Sequence, residues 1–162
     1  MAAKTNALKV TLPSDTEILL TREFDAPRHL VFEALTKPEY VAQWWGPHGS
    51  ELLVNESDFR PGGTWRRIQR MPDGSEHPFK GTYREIDPPA RLVWTFIYDV
   101  PPFDQMESVE TATLEERDGR TILTALVRHQ TKQARDGHLQ SGMEKGAGES
   151  YDRLAEVIAK MA

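Results

Sequence analysis

The spacing of apolar residues along the chain predicts a definite order of strands and helices. Residues 16–24 alternate between apolar and polar side chains, which predicts a first strand that ends at Asp25-Ala26-Pro27. Apolar residues recur at helical spacing over residues 30–35, and a second short helix is predicted over residues 38–45. Residues 1–15 show no such pattern. We therefore expect a flexible tail over residues 1–15 and a single domain over residues 16–162.

Most of the remaining chain is predicted to be β-strand. Turn residues delimit strands over residues 52–59, 65–71, 79–86, 91–99, 108–117 and 121–129. Asp73-Gly74 and Asp118-Gly119 predict hairpins, because Asp-Gly tolerates the positive φ of a tight turn. Alternation over residues 91–99 places one set of large side chains on a common face, namely Leu92, Trp94, Phe96 and Tyr98.

The C-terminal segment is predicted to be one long amphipathic helix from about Gln133. Its apolar stripe repeats every three or four residues and includes Leu139, Met143, Leu154, Val157, Ile158 and Met161. Gly142, Gly146 and Gly148 lie within it, although glycine costs about 1 kcal/mol relative to alanine inside a helix. These glycines indicate a close approach to the sheet, a bend, or space left for another molecule.

Six segments of the chain together resemble one family. The chain is similar to the Bet v 1-like, or START-like, superfamily of helix-grip proteins. More narrowly, it resembles the branch related to the C-terminal domain of the activator of heat-shock protein 90 ATPase. The matching segments follow the family's order: residues 22–27, Trp44-Trp45-Gly46-Pro47, Asp58-Phe59-Arg60-Pro61-Gly62-Gly63, residues 81–86, residues 89–93 and residues 142–146.

The resemblance implies an α+β, Bet v 1-like helix-grip fold. In such a fold a curved antiparallel sheet of about seven strands wraps around a long C-terminal helix, with two short helices after the first strand. It also implies a cavity between sheet and helix that holds a small apolar ligand. The chaperone activator carries a separate N-terminal domain, for which residues 1–15 are too short, and this disfavours a chaperone partner.

Composition excludes several classes of function. The formal net charge of −5 disfavours nucleic-acid binding, which usually needs a basic face. The absence of cysteine excludes disulfides and thiolate chemistry. No apolar run approaches the roughly 20 residues that span a bilayer, and the N-terminus does not resemble a secretory signal. We therefore expect a cytoplasmic protein without membrane insertion.

Large side chains on the predicted strands and helix are the candidates for ligand binding. These are Trp65, Tyr83, Trp94, Phe96 and Met143. A cavity wall and an ordinary core predict the same residue types, so the pattern leaves both open. The pattern also leaves two roles open for Trp44 and Trp45, as structural residues that close the fold or as residues at the cavity mouth.

Acid–base candidates are fewer. His129 shares the parity of Leu123, Ala125 and Val127, and Glu85 lies on a central strand, so both are secondary catalytic candidates. Glu110 also lies on a central strand, but the spacing assigns it no partner. The histidine spacings favour no metal site, and no motif indicates a cofactor.

Three functions follow, in order of preference. The first is non-catalytic binding of a small hydrophobic or amphipathic molecule. The second is a cyclase- or hydrolase-like enzyme with an acid–base residue in the cavity. The third is a chaperone-associated or homodimeric protein, which needs an exposed apolar patch near Trp44-Trp45-Gly46-Pro47 or Pro101-Pro102-Phe103.

Overall fold

The computed structural model describes residues 7–161, in which eight antiparallel strands form one sheet. The strands are β1 (Lys9–Thr11), β2 (Glu17–Phe24), β3 (Glu51–Ser57), β4 (Thr64–Arg70), β5 (Glu76–Asp87), β6 (Arg91–Tyr98), β7 (Ser108–Arg117) and β8 (Arg120–Arg128). Their order across the sheet is β1-β2-β8-β7-β6-β5-β4-β3. Consecutive strands from β3 to β8 are neighbours in the sheet. Two short helices follow β2 in the chain, and β2 pairs with β8 instead of with β3.

Four α-helices complete the described chain. They are α1 (Arg28–Thr36), α2 (Pro38–Trp44), α3 (Lys132–Gln140) and α4 (Met143–Met161), with a 3₁₀ turn at Phe103–Gln105. The order of elements and the antiparallel sheet confirm the predicted helix-grip fold. Helices α1 and α2 meet at Lys37, because Pro38 suits the first position of a helix but cannot continue the preceding one.

Side-chain alternation gives the sheet one inner face. On β2 the side chains of Ile18, Leu20, Arg22 and Phe24 are buried, whereas their neighbours are partly accessible. The second half of α4 packs on this face through Leu154, Val157 and Ile158, in one core cluster with Leu114 and Leu123. Burial of apolar surface at about 25 cal/mol per Å² is what holds the helix to the sheet.

The C-terminal helix differs from the prediction, because it is two helices. Gly142 adopts a φ of +85°, a left-handed conformation that ends α3 and redirects the chain into α4. Gly142 therefore marks a bend, which is one of the three alternatives that the glycines indicated. Thr131 caps α3, its hydroxyl accepting a hydrogen bond from the Ala134 N–H at 3.0 Å.

Part of the predicted flexible tail is also ordered differently. Lys9–Thr11 form the edge strand β1, which pairs with residues 19–21 of β2 and raises the strand number from the expected seven to eight. Residues 1–6 of that tail lie outside the described residues. Within residues 7–161, no helix combines the length and the apolar character needed to cross a membrane.

Candidate functional site

A cavity of about 290 Å³ lies between the inner face of the sheet and the start of α4. Strands β4, β5 and β6 supply most of its aromatic wall, and the turn after α2 and the first two turns of α4 complete it. Its largest lining residues are Trp44, Trp45, Phe59, Trp65, Phe79, Tyr83, Trp94, Phe96, Met143 and Tyr151, and its polar ones are Thr36, Arg67, Gln69, Glu110, His138 and Ser150.

All five predicted ligand-binding residues line this cavity. Trp65, Tyr83, Trp94 and Phe96 face it from β4, β5 and β6, and Met143 faces it from the first turn of α4. Strand register brings two of them together, since Tyr83 pairs directly with Trp94. Their use by a ligand remains a prediction.

The turn between α2 and β3 is fastened to α4. Trp44 is buried, and its indole N–H donates to the Ala34 carbonyl at 2.8 Å. Gly46 has a φ of +104°, and a Cβ there would collide with the Gln69 side chain, so only glycine fits. The Arg153 guanidinium donates to the carbonyls of Gly46 and Pro47 at 2.9 and 3.0 Å.

One predicted interaction patch is therefore wrong. Residues 44–47 are buried or partly buried, because their indoles pack inward and their carbonyls are bound by α4. The second candidate patch is exposed: Phe103 retains 48% of its accessible surface and stacks on Tyr98 with ring centroids 5.7 Å apart.

Arg67 places a positive charge inside the cavity wall. Its guanidinium carbon lies 4.7 Å from the ring centroid of Trp65 and 5.5 Å from that of Trp45. Nε donates a long hydrogen bond of 3.4 Å to the side-chain oxygen of Asn55. Burial lowers the pKa of Arg67, while Tyr83 favours the charged form. Because an arginine side chain is ordinarily protonated far beyond neutral pH, the guanidinium stays charged.

Glu110 places an acid on the same inner face. Strand register sets it between Trp94 on β6 and Val127 on β8. Among residues 7–161 no side chain is found in a hydrogen bond with its carboxyl. Burial raises the pKa of Glu110 to about 7, although Arg67 acts in the opposite direction.

The strand pattern gives Glu110 no partner, yet it does indicate that this residue is unusual. Glu110 shares the parity of Ala112 and Leu114, both buried, so it is an acid on an apolar strand face. Arg67 carries the same signal, because it lies on the same strand face as Trp65 and Gln69, both of which are buried. A charge at an inward position of an alternating strand is costly unless it is paired or hydrogen-bonded, so such a residue is a candidate for a functional role.

The two predicted acid–base candidates are placed differently. Glu85 lies outside the cavity: a bulge between Tyr83 and Glu85 reverses the parity of β5, and the carboxylate pairs with Arg91 on the surface at 3.1 Å. His129 is half-buried, and its Nε2 lies 3.0 Å from Nδ1 of His138, which lines the cavity. Burial lowers the pKa of both histidines, that of His138 to about 4.

Comparison with known proteins places the chain among helix-grip structures. The family model described as Activator of Hsp90 ATPase homolog 1-like protein matches residues 25–159. A solved protein from Nitrosomonas europaea is 27% identical with a TM-score of 0.81, over 93% of this chain and 98% of its own. One from Rhodobacter sphaeroides is 25% identical with a TM-score of 0.85, over 96% and 99%.

A protein of the same family name from Silicibacter pomeroyi is 21% identical, with a TM-score of 0.73 over 90% of this chain and 99% of its own, and shares the fold. No curated protein matches the chain. The comparisons thus establish architecture and family, whereas the cavity's ligand has to be argued from its residues.

Proposed function

The chain belongs to the family of Activator of Hsp90 ATPase homolog 1-like proteins, and from this premise we propose that it binds a small amphipathic molecule in its cavity. Small-molecule sites are concave and mostly apolar, with a few polar groups that fix orientation. The aromatic wall with Arg67 and Glu110 has this composition. A volume of about 290 Å³ is near the lower end of such sites, which favours a short chain or a small ring system.

The observation that carries the proposal is how the space is kept open. The first turns of α4 face the wall with Met143, Gly146 and Ala147 instead of large rigid side chains. A Cβ at Gly146 would meet no atom within 4 Å. Since well-packed cores leave few voids larger than a water molecule, small residues beside an empty volume indicate a binding site.

Native mass spectrometry of the freshly purified protein tests this proposal, followed by release and identification of any bound molecule. We expect a stoichiometric adduct of low mass. Gly146→Leu should fill the cavity and remove the adduct, whereas the matched variant Gly148→Leu should retain it. Gly148 also has open space around it, but it does not line the cavity.

An unliganded mass for the parent protein, or an adduct that survives Gly146→Leu, would contradict the proposal. The same spectrum gives the oligomeric state and so distinguishes a monomer from a homodimer. Complex formation with a chaperone would instead involve the exposed loop at Phe103 and Met106, and a pull-down with Phe103→Ser as control would test it.

Enzymatic use of the same cavity is the second candidate, and Glu110 is the observation that favours it. An acid with a pKa of about 7 in an apolar cavity suits proton transfer at neutral pH. If the released molecule is chemically changed on incubation with the protein, and Glu110→Gln abolishes that change while binding persists, the site is catalytic. If the molecule is recovered unchanged, the protein is a binder.

A further inference from the structure

We propose that Arg67 and Glu110 form a proton-linked site for the carboxylate of a small apolar acid, an inference that rests on the proposed function and specifies its ligand. Both side chains line the same cavity, and both residues are only partly buried. Neither has a close charged partner among the described residues. The pair is therefore an incomplete polar network inside an apolar wall.

Arg67 is the anion-binding half of the site. Among residues 7–161 no carboxylate lies within ion-pair distance of its guanidinium, which makes a long hydrogen bond to Asn55 and interacts with the Tyr83 hydroxyl. The rings of Trp45 and Trp65 fix its plane. A planar guanidinium that is held in place and lacks an acid partner is suited to bind a carboxylate through two parallel hydrogen bonds.

The second cation near the cavity is already engaged. Arg22 on β2 donates from Nη1 to the Asp152 carboxylate of α4 at 2.7 Å, and its guanidinium lies over the ring of Phe24. Arg22 does not line the cavity, and this ion pair offsets its charge. Of Arg22 and Arg67, only Arg67 lines the cavity and is available to an anionic ligand.

Glu110 is the proton-linked half, and the groups that face it support this role. Arg67 on β4 is the positive charge that acts on it. Tyr151 on α4 also interacts with Glu110, and burial raises the pKa of Tyr151, so its hydroxyl stays protonated. His138 on α3 faces the same cavity and is neutral, because burial lowers its pKa to about 4.

Of the remaining strands around Glu110, β6 and β8 face the cavity with uncharged residues such as Trp94 and Ala125. Strand β2 faces it with Leu20, and the charge of Arg22 on β2 is paired with Asp152. Protonated Glu110 can donate a hydrogen bond to a carboxylate held by Arg67. Ionised Glu110 would instead repel that carboxylate and compete for the same guanidinium. Binding of an apolar acid therefore takes up a proton when Glu110 is ionised in the free protein.

Calorimetric titration with three probes of one chain length tests the inference: octanoate, octanol and octylamine. We expect octanoate to bind most tightly at about pH 6 and about tenfold more weakly at about pH 8, with octanol unaffected by pH. Glu110→Gln should abolish this pH dependence. The exposed neighbour Glu115 lines no part of the cavity, so Glu115→Gln is the matched control.

Substitution of the arginine tests the other half of the site. Arg67→Met should weaken octanoate binding by at least about tenfold while octanol binding is retained, and Arg67→Lys should restore part of the loss. Arg66→Met is the control, because Arg66 points to the outer face and is half-exposed. Retained octanol binding shows that each variant is folded.

Each outcome decides between the inference and the function on which it rests. Tighter binding of octylamine than octanoate, octanoate affinity that Arg67→Met leaves unchanged, or pH dependence that persists in Glu110→Gln overturns the inference. Octanol binding alone overturns it too, but leaves the proposed function standing. If none of the three probes binds, both fail.

Discussion

At the scale of single residues, the costly positions in this protein are the charges on its inner face. Arg22 is compensated by Asp152, whereas Glu110 and Arg67 have no comparable partner within the described chain. Removing a carboxylate from water costs several kcal/mol unless hydrogen bonds or a close cation replace the solvent. An acid kept at such a site reduces stability, and this makes its contribution measurable.

Glu110→Gln should stabilise the protein at high pH and leave it unchanged at low pH. The folded-state pKa of about 7 lies above the ordinary value of 4.5, so stability falls as pH rises from about 4.5 through about 7. Below that window the acid is protonated in both folded and unfolded states. We expect a gain of up to about 3 kcal/mol near pH 8 and none near pH 4.

Urea unfolding of the parent and variant at both pH values measures this difference. Glu115→Gln supplies the control, because Glu115 is exposed. A destabilising effect of Glu110→Gln at both pH values would show that the carboxyl makes a structural contact, and it would contradict the argument.

At the scale of elements, alternation and helical spacing predicted nearly every strand and helix from residue 16 onward. These patterns succeeded because each strand or helix buries one apolar face, and that face repeats every two residues in a strand and every 3.6 residues in a helix. The same parity rule failed at Glu85, since the bulge that follows Tyr83 turns the next side chains over. It also missed β1, because a three-residue edge strand is too short to show a period.

The candidate site was predictable in its wall and not in its chemistry. Trp65, Trp94 and Phe96 follow from alternation, and each lines the cavity. Arg67 and Glu110 lie on strands β4 and β7, which two other strands separate in the sheet. Their proximity depends on sheet curvature and side-chain direction, which the sequence pattern does not encode.

Replacement of glycine by alanine should have opposite effects on the free energy of unfolding at Gly142, between α3 and α4, and at Gly148, inside α4. Gly142→Ala should destabilise the protein by about 1–2 kcal/mol, because Gly142 has a φ of +85° and a Cβ is strained there. Gly148→Ala should stabilise it by about 1 kcal/mol, because Gly148 lies inside α4 with no atom near the added Cβ. Denaturant unfolding of both variants measures these effects, and a stabilising Gly142→Ala would show that the chain can continue as one helix.

At the scale of the whole molecule, α4 packs differently along its length. Its second half fills the core through Leu154, Val157 and Ile158, whereas its first half covers an open volume with Met143 and Gly146. Met143 packs on a second core cluster, but Gly146 and Ala147 leave open space beside them, where a bound molecule would supply contacts that oppose local opening. Ligand binding should thus act on one end of the helix and on the strands below it.

Hydrogen–deuterium exchange with and without saturating octanoate at about pH 6 tests this division. We expect slower exchange in the first half of α4, in β4 and in the turn at residues 44–47. Exchange at β1 and at Phe103–Gln105 should be unchanged, because neither segment lines the cavity. The Gly146→Leu variant should show no response, since its cavity is filled. Protection confined to the Phe103 loop would place the ligand on the surface, and it would show that the open end of α4 serves packing alone.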